Sequence, residues 1–401
     1  MFAEFFENFK HNLFKPLLLF FYMGFLVPIL GVEFEFPHVI YQGLTIYLLV
    51  SIGWHGGEEL AKLEPKILTQ ALEFMGVGFV TNFVIGVAAY MVLRAFTKLR
   101  KIDAATVAGY YGSDSAGTFA TCVGVLNGLV HIGQKEYNYA PYMPVMLAVM
   151  EIPGCLVALF LVSRLRATGM DALGYMPDEA GYDPNAVAPV VEHGEGHGHS
   201  GPTSQGTQVG ELSHEHPDKK KPPGMLSGEL LHEVFLNPGL FLLFGGIVIG
   251  FISEKQGSNI TADDDKLFRG LFQSLLCLFL LEMGMTASRK LKDLKRGGVP
   301  FILFGLFAPV VFATLGITVA HLFNMAIHQD LQLGTYVLFS VLCAAASYIA
   351  VPAVQRLAIP EASPTLPLAA SLGLTFSFNV TIGIPLYILI AKALMKAFPA
   401  T

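Results

Sequence analysis

Long apolar stretches, separated by short polar segments, follow one another along most of this chain. Several of them reach the roughly 20 residues that an α-helix needs to cross a bilayer. The pattern predicts ten membrane-spanning helices, five on each side of a polar linker. Their approximate bounds are 17–32, 38–54, 69–93, 104–130, 141–163, 238–253, 267–286, 298–323, 333–356 and 366–391.

Composition supports this interpretation, because 53% of the residues are hydrophobic and only 14% are charged. We therefore predict an all-α integral membrane protein in the lipid bilayer, without a nucleic-acid partner. The four cysteines lie in apolar segments and lack metal or redox spacing. Since no nucleophile stands with a neighbouring base, we expect no enzyme, no metal centre and no cofactor.

Lysine and arginine indicate the orientation of the chain, because cytoplasmic loops are enriched in these residues. They concentrate in alternate loops, for example in the segments 94–101 and 289–296. This bias predicts both termini outside and the central linker in the cytoplasm. The predicted location is the inner (plasma) membrane, crossed many times.

The linker, about residues 167–232, is rich in glycine, proline, histidine and acids, a composition typical of disorder. It separates two predicted domains, 1–166 and 233–401. Its histidines leave weak metal binding or a regulator open, although a solvated tether is the simpler interpretation. No predicted helix carries paired histidine or carboxylate ligands at helical spacing, which argues against a metal ion as the transported substrate.

The two halves share landmarks in the same order. A proline opens the first helix of each half, at Pro16 and Pro238. The interval from Ser115 to Pro153 is 38 residues, and so is the interval from Ser347 to Pro385. Because each half has an odd number of spans, a duplicated half must enter the membrane with opposite topology. The sequence thus predicts two inverted five-helix repeats, a common plan of secondary transporters.

Polar residues interrupt the fourth predicted helix. Gly112 and Gly117 permit unusual backbone angles, and Ser113, Ser115 and Thr118 carry hydroxyl groups. A helix that restarts after the serines presents free N–H groups and a partial positive charge of ~0.5 e. This break therefore favours the binding of a small anion.

The ninth predicted helix carries a matching break in the segment 345–352, where Ser347 precedes a new helical start near Pro352. Paired breaks in corresponding helices are typical of a transporter's substrate site. The alternative is that these small residues only allow close helix packing.

Asp114 and Glu151 are the acids furthest from the span ends, and an ionisable group at this depth usually faces a cavity or a partner. Together with hydroxyls and freed carbonyls they could form an all-oxygen Na+ site, or one of them could carry a proton. Asn379 is a further polar candidate in the tenth span. The predicted cation-coupling residues are Gly112, Asp114, Glu151, Ser347 and Asn379.

As an ordered set, four segments of this chain resemble the Na+-dependent bicarbonate transporter family known from cyanobacteria. They are 52–57, 109–121, 151–153 and 345–360. The resemblance covers both five-span halves and excludes the linker. It implies a gate domain from spans 1, 2, 6 and 7, a core domain from spans 3–5 and 8–10, and elevator-type movement. It also implies homotrimers and, in some members, a PII-like regulatory protein.

Carried over by position, the resemblance places Ser113, Ser115, Gly117, Ala346 and Ser347 around bicarbonate and Na+. Ala116 and Thr118, at the restarted helix, complete the predicted substrate-binding set. The chain departs from the family pattern at Asp114, where a small or apolar residue is expected, and in the segment 344–348, where a serine-rich run followed by an acid is expected. The leading hypothesis is a Na+-coupled bicarbonate symporter. A proton-coupled or Na+-coupled carrier of another small anion, and a channel or membrane sensor, remain as alternatives.

Overall fold

The computed structural model describes residues 14–131, 133–186, 238–327 and 331–399, and in these residues the chain is helical, with turns between the helices. The first half contains α1 (Pro16–Ile29), α2 (His38–Ala61), α3 (Pro65–Phe96), α4 (Lys101–Tyr111), α5 (Ala116–His131) and α6 (Met143–Ala167). The second half contains α7 (Pro238–Gln256), α8 (Ser258–Asp265), α9 (Phe272–Lys290), α10 (Gly298–Ile327), α11 (Leu333–Ala344), α12 (Ala350–Ala358) and α13 (Thr365–Ala397). The all-helical fold class is confirmed.

Each of the ten predicted spans coincides with a helix or with two helices across a break. Within the described ranges, six helical segments are long and apolar enough to cross a membrane. The fourth predicted span is α4 followed by α5, and the ninth is α11 followed by α12. The first break is at 112–115 and the second at 345–349, as the polar interruptions indicated. Two π-helical stretches, Ala369–Phe376 and Asn379–Gly383, occur inside α13.

The helices pack as two groups. Helices α1, α2, α7 and α9 form a smaller bundle, in which α2 packs along α7 and α1 along α9. The larger bundle consists of α3–α6 and α10–α13. The two bundles meet mainly where α9 contacts the π-helical stretch Ala369–Phe376.

Glycines allow the helices of the smaller bundle to approach closely at its two main crossings. A Cβ atom at Gly53 would collide with the carbonyl of Leu243, and one at Gly246 would lie 2.8 Å from the carbonyl oxygen of Val50. In the α1–α9 crossing, a Cβ at Gly24 would collide with a backbone carbonyl of α9, and one at Gly284 with a carbonyl of α1. Gly24 and Gly246 each stand eight residues after the proline that opens their half, and Gly53 and Gly284 each lie near the end of their half's second predicted span, so the predicted duplication pairs Gly24 with Gly246 and Gly53 with Gly284. Each crossing therefore joins one residue of each predicted pair.

Residues 168–186 form a strap of turns across the start of α4, although the sequence assigned them to the disordered linker. The Glu179 carboxylate accepts a hydrogen bond from the Lys101 N–H at 2.6 Å, and the Leu173 carbonyl accepts one from the Arg100 guanidinium at 2.8 Å. These polar contacts to a distant helix offset the disorder that the composition favours. The rest of the predicted linker, from 187 to 232, lies outside the described residues.

Candidate functional site

The two breaks are in direct contact. The Ser347 N–H, in the second break, donates a hydrogen bond to the Tyr110 carbonyl near the end of α4 at 2.8 Å. The last carbonyl of α11, on Ala344, accepts a hydrogen bond from the Asn379 side-chain amide at 3.0 Å. A helix that ends inside a bilayer must have its terminal carbonyls paired, and these two bonds meet part of that requirement.

The Ser115 and Ser347 side chains serve the starts of the restarted helices. The Ser115 Oγ accepts hydrogen bonds from the Thr118 N–H at 3.2 Å and from the Thr118 hydroxyl at 2.9 Å. The Ser347 Oγ accepts one from the Val351 N–H at 3.4 Å. Ser115 thus acts as the N-cap of α5, whereas Ser347 lies two residues before Ile349, the N-cap of α12. As an acceptor in these bonds, each serine keeps its own O–H proton for donation.

Asp114 is the acidic residue of the first break. Its side chain is fully buried, at 0% exposure, and neither carboxylate oxygen has a hydrogen-bond partner among the described residues. Burying even a neutral polar group without a partner costs ~2–7 kcal/mol, and burying an ionised carboxylate costs far more. The position therefore requires a cation or a proton on this carboxylate.

Glu151, on α6, lies within electrostatic range of Asp114 and is 8% exposed. The Ser113 hydroxyl donates a hydrogen bond to the Glu151 backbone carbonyl at 2.7 Å, which fixes the first break against α6. The approach is close because Gly154 has no side chain, and a Cβ there would lie 2.6 Å from the Ser113 Cβ. Two acids and a serine hydroxyl are thus gathered beside the first break.

The remaining predicted residues fall into two sets. Gly112 lies against Gly86 of α3, where a Cβ would come within 2.8 Å of the Gly86 Cα. Asn379 uses both ends of its amide inside the larger bundle, because its Oδ1 also accepts a hydrogen bond from Tyr387 at 2.6 Å. Both positions serve packing in this structure. The predicted substrate-binding residues that lie in or beside the two adjoining breaks are Ser113, Ser115, Ala116, Gly117, Thr118, Ala346 and Ser347.

Tyr348 belongs to this site and was missed by the sequence reasoning. Its side chain is 4% exposed, and its hydroxyl lies directly over Gly117, in the place that a Cβ would occupy. The oxygen lies within reach of the Gly117 N–H and the Ser115 hydroxyl, but neither contact has regular hydrogen-bond geometry. Its position after Ser347 in the second break was the available signal.

An aromatic seam crosses the interface between the bundles beside the site. It consists of Phe21, Tyr41 and Phe279 from the smaller bundle and Tyr348 and Phe376 from the larger one. Tyr41 stacks on Phe279 with ring centroids 5.9 Å apart, and Tyr348 meets Phe376 edge to face at 5.7 Å. Phe21 meets Phe376 at 5.9 Å, so the seam crosses between the bundles.

A cavity of about 730 Å³ lies between the bundles. Phe119 of α5, one turn beyond Ser115, and Ile52 of α2 line it, as do residues near the mouth that include His131 and Arg269. The Arg269 guanidinium donates a hydrogen bond of 2.6 Å to the buried Glu58 carboxylate, so the charges of these two side chains offset each other. The cavity thus approaches the site through Phe119, and the cavity and the aromatic seam both lie at the interface between the bundles.

A comparison with curated proteins finds no match. A family model described as the Na+-dependent bicarbonate transporter superfamily matches residues 16–392, which include both breaks and both bundles. The resemblance inferred from the four segments is confirmed. The chain belongs to the Na+-dependent bicarbonate transporter superfamily.

Proposed function

We propose that this protein is a secondary active transporter that carries bicarbonate together with Na+. Membership of the superfamily supports bicarbonate as the substrate. The observation that carries Na+ coupling is the Asp114 carboxylate, which is fully buried and has no hydrogen-bond partner for either oxygen among the described residues. Na+ is a hard cation that prefers oxygen ligands, and Asp114 provides two of them.

In this proposal, coupling follows from the places where the two ions would bind. Gly117, at the start of α5, lies three residues after Asp114, and the helix start attracts an anion. An ionised, unpaired Asp114 would repel bicarbonate from this place. A Na+ ion on Asp114 removes that repulsion, so binding of the cation favours binding of the anion.

We propose that the larger bundle moves against the smaller one in an elevator-type cycle. The cavity and the aromatic seam, both at the interface between the bundles, support such a movement. The ten-span plan with two inverted repeats is supported by the two glycine crossings, in which α2 packs on α7 and α1 on α9. In this proposal the smaller bundle is the gate domain and the larger bundle the core domain.

Topology and assembly are part of the same proposal. The bias of Lys and Arg supports a plasma-membrane protein with both termini outside, so the cavity would open to the exterior. A homotrimer and a PII-like regulatory partner are proposed on the family resemblance alone. Native mass spectrometry of the detergent-purified protein tests the trimer.

The deciding experiment is uptake of labelled bicarbonate into proteoliposomes. An inward Na+ gradient should drive accumulation, and replacing Na+ with K+ at equal ionic strength should abolish it. Equal uptake in the two salts contradicts Na+ coupling. Absence of uptake under any gradient, with protein that is monodisperse and correctly reconstituted, contradicts bicarbonate as the substrate.

A proton-coupled carrier of bicarbonate or another small anion is the second candidate, and the proximity of Asp114 to Glu151 favours it. Two neighbouring acids in a buried place can share one proton, because both cannot be ionised without a large repulsion. In this case a proton gradient imposed without Na+ should drive uptake. The same vesicles therefore separate the two candidates.

A further inference from the structure

The Tyr348 hydroxyl has a position and an environment that its packing does not explain. The ring packs against Phe376, and a phenylalanine would make the same contact. The hydroxyl adds a buried polar group whose contacts with the Gly117 N–H and the Ser115 hydroxyl lack regular hydrogen-bond geometry. Such a group destabilises a folded protein by about 1–3 kcal/mol unless something else pairs with it.

The surroundings of the hydroxyl point to an anion as that partner. The oxygen lies over Gly117, in the first turn of the 16-residue helix α5. Of the first N–H groups of α5, that of Thr118 is capped by Ser115 and that of Phe119 bonds the Ser115 carbonyl at 2.9 Å. The N–H groups of Ala116 and Gly117 thus precede the first paired donors of the helix.

Glycine at 117 is what makes the arrangement possible. A Cβ atom at this position would collide with the Tyr348 hydroxyl and would lie 3.0 Å from the Phe279 ring. Any other residue would push the hydroxyl away from the helix start. Gly117 therefore allows the tyrosine oxygen and the backbone donors to meet at one place.

We propose that Tyr348 is a ligand of the transported anion and a determinant of its affinity. Its O–H donates a hydrogen bond to one oxygen of bicarbonate, while the start of α5 binds another. Without the anion, the hydroxyl occupies the place over Gly117 and closes it. This proposal rests on the proposed function, because it concerns the same site.

The test uses Tyr348→Phe in the full-length protein, reconstituted in proteoliposomes and assayed at saturating Na+. A hydrogen bond to a charged acceptor accounts for about a tenfold or larger change in affinity. We expect the KM for bicarbonate to rise by about this factor, with the maximal rate and the half-saturating Na+ concentration within about twofold of wild type. Unchanged KM, or a rise in the Na+ requirement instead, overturns the proposal.

Tyr142→Phe is the matched control. Tyr142 is also a buried tyrosine, 2% exposed, whose hydroxyl lacks a hydrogen-bond partner among the described residues, but it packs against Phe74 in the larger bundle. Its replacement should leave the KM unchanged. Gly117→Ala tests the same contact, because its new Cβ would displace the Tyr348 hydroxyl. It should raise the KM for bicarbonate as Tyr348→Phe does.

Failure of this proposal can be told apart from failure of the proposed function. If the wild-type protein does not take up bicarbonate, thermal stabilisation of the purified protein by bicarbonate, formate and nitrate provides a second measurement. An anion that stabilises wild type but not Tyr348→Phe supports the role of Tyr348. If these anions stabilise both proteins equally, or neither, the proposal is wrong.

Discussion

Arg166, at the end of α6, forms a bidentate ion pair with Glu361, which follows α12. The Arg166 Nη2 lies 2.8 Å from the Glu361 Oε2 and 2.9 Å from its Oε1, and it also donates to the Ala358 carbonyl at 2.8 Å. The two side chains are 27% and 15% exposed. The pair joins the two halves of the larger bundle next to the helix that follows the second break.

Removing this pair should destabilise the larger bundle. We expect Arg166→Ala to lower the free energy of unfolding by about 1–3 kcal/mol, because it deletes charge-assisted hydrogen bonds in a half-buried place. Thermal unfolding in detergent measures the effect. Lys266→Ala is the control, since its ion pair with Asp263 is exposed on both sides and should contribute little. Equal losses of stability in the two variants would mean that the Arg166–Glu361 pair contributes no more than an exposed ion pair.

Gly57→Ala should separate α2 from α7. Its Cβ would collide with the carbonyl of Ile247, a backbone atom that cannot turn aside. Overpacking of this kind costs about 1–3 kcal/mol. Gly245→Ala, on the same pair of helices but with no neighbouring atom within 4 Å of the new Cβ, should be neutral or slightly stabilising. The yield of folded protein and its thermal midpoint provide the comparison, and a tolerated Gly57→Ala contradicts the crossing.

Asp114→Asn should weaken the affinity of the protein for Na+ while the protein remains folded. Asparagine keeps the size of the side chain but removes the negative charge that the cation needs. We expect the half-saturating Na+ concentration for bicarbonate uptake to rise at least about tenfold, which corresponds to about 1.4 kcal/mol. Glu282→Gln is the control, because this acid of α9 also has an unpaired buried oxygen among the described residues but belongs to the smaller bundle. An unchanged Na+ requirement in Asp114→Asn would assign the acid to packing or to protons.

The strap should loosen in acid through Asp171, which lies outside the membrane-spanning helices. Burial acts to raise the pKa of Asp171, but hydrogen bonds from the backbone N–H groups of Asp183, Tyr175 and Leu173 outweigh it and hold the pKa below its usual value of 3.8. Because the pKa is lower in the folded state, the stabilisation is complete above about pH 4 and is lost as the pH falls through the folded value.

Limited proteolysis of the strap between pH 3 and pH 7 measures this effect, with an acid-active protease at the lower values. We expect protection down to about pH 4 and cleavage below it, whereas Asp171→Asn should be cleaved at every pH. Asp263→Asn, at an exposed position on α8, is the control and should behave as wild type. Cleavage of the wild-type strap that does not vary with pH would contradict the role of Asp171.

The cavity can be tested by thiol labelling. Val123 lines the cavity, so Val123→Cys should react with a small, membrane-impermeant thiol reagent added outside intact cells. Lys98→Cys should react only in inside-out membranes if the proposed topology is correct. The native cysteines are buried, which keeps the background low. Ala158→Cys, at a position that is 1% exposed, should not react from either side. Labelling of Lys98→Cys in intact cells would contradict the proposed orientation.

Much of this fold could be predicted from the sequence because membrane helices carry a strong local signal. Apolar length placed a helix, or two helices across a break, at each of the ten predicted positions, and the small polar residues at 112–117 and 345–349 located the two breaks. The acids Asp114 and Glu151 stood out because charge is rare at this depth. These inferences depend on the bilayer as a solvent and need no knowledge of tertiary contacts.

What the sequence did not predict depends on contacts between distant residues. Tyr348 is one tyrosine among 14, and only the packing of the second break against α5 places its hydroxyl over Gly117. The strap looked like the start of a disordered linker because its stabilising contact, from Glu179 to the Lys101 N–H, joins residues far apart in sequence. Composition describes a segment by itself and cannot show such a partner.

The hydrogen bond from the Ser347 N–H to the Tyr110 carbonyl limits how a transport cycle can proceed. Pulling the two breaks apart would leave a peptide donor and acceptor unpaired in the membrane interior, at a cost of about 1–3 kcal/mol or more. This cost favours a proposed cycle in which the polar segments of the two halves move together. In such a cycle, an ion bound beside one segment would change position together with the other segment.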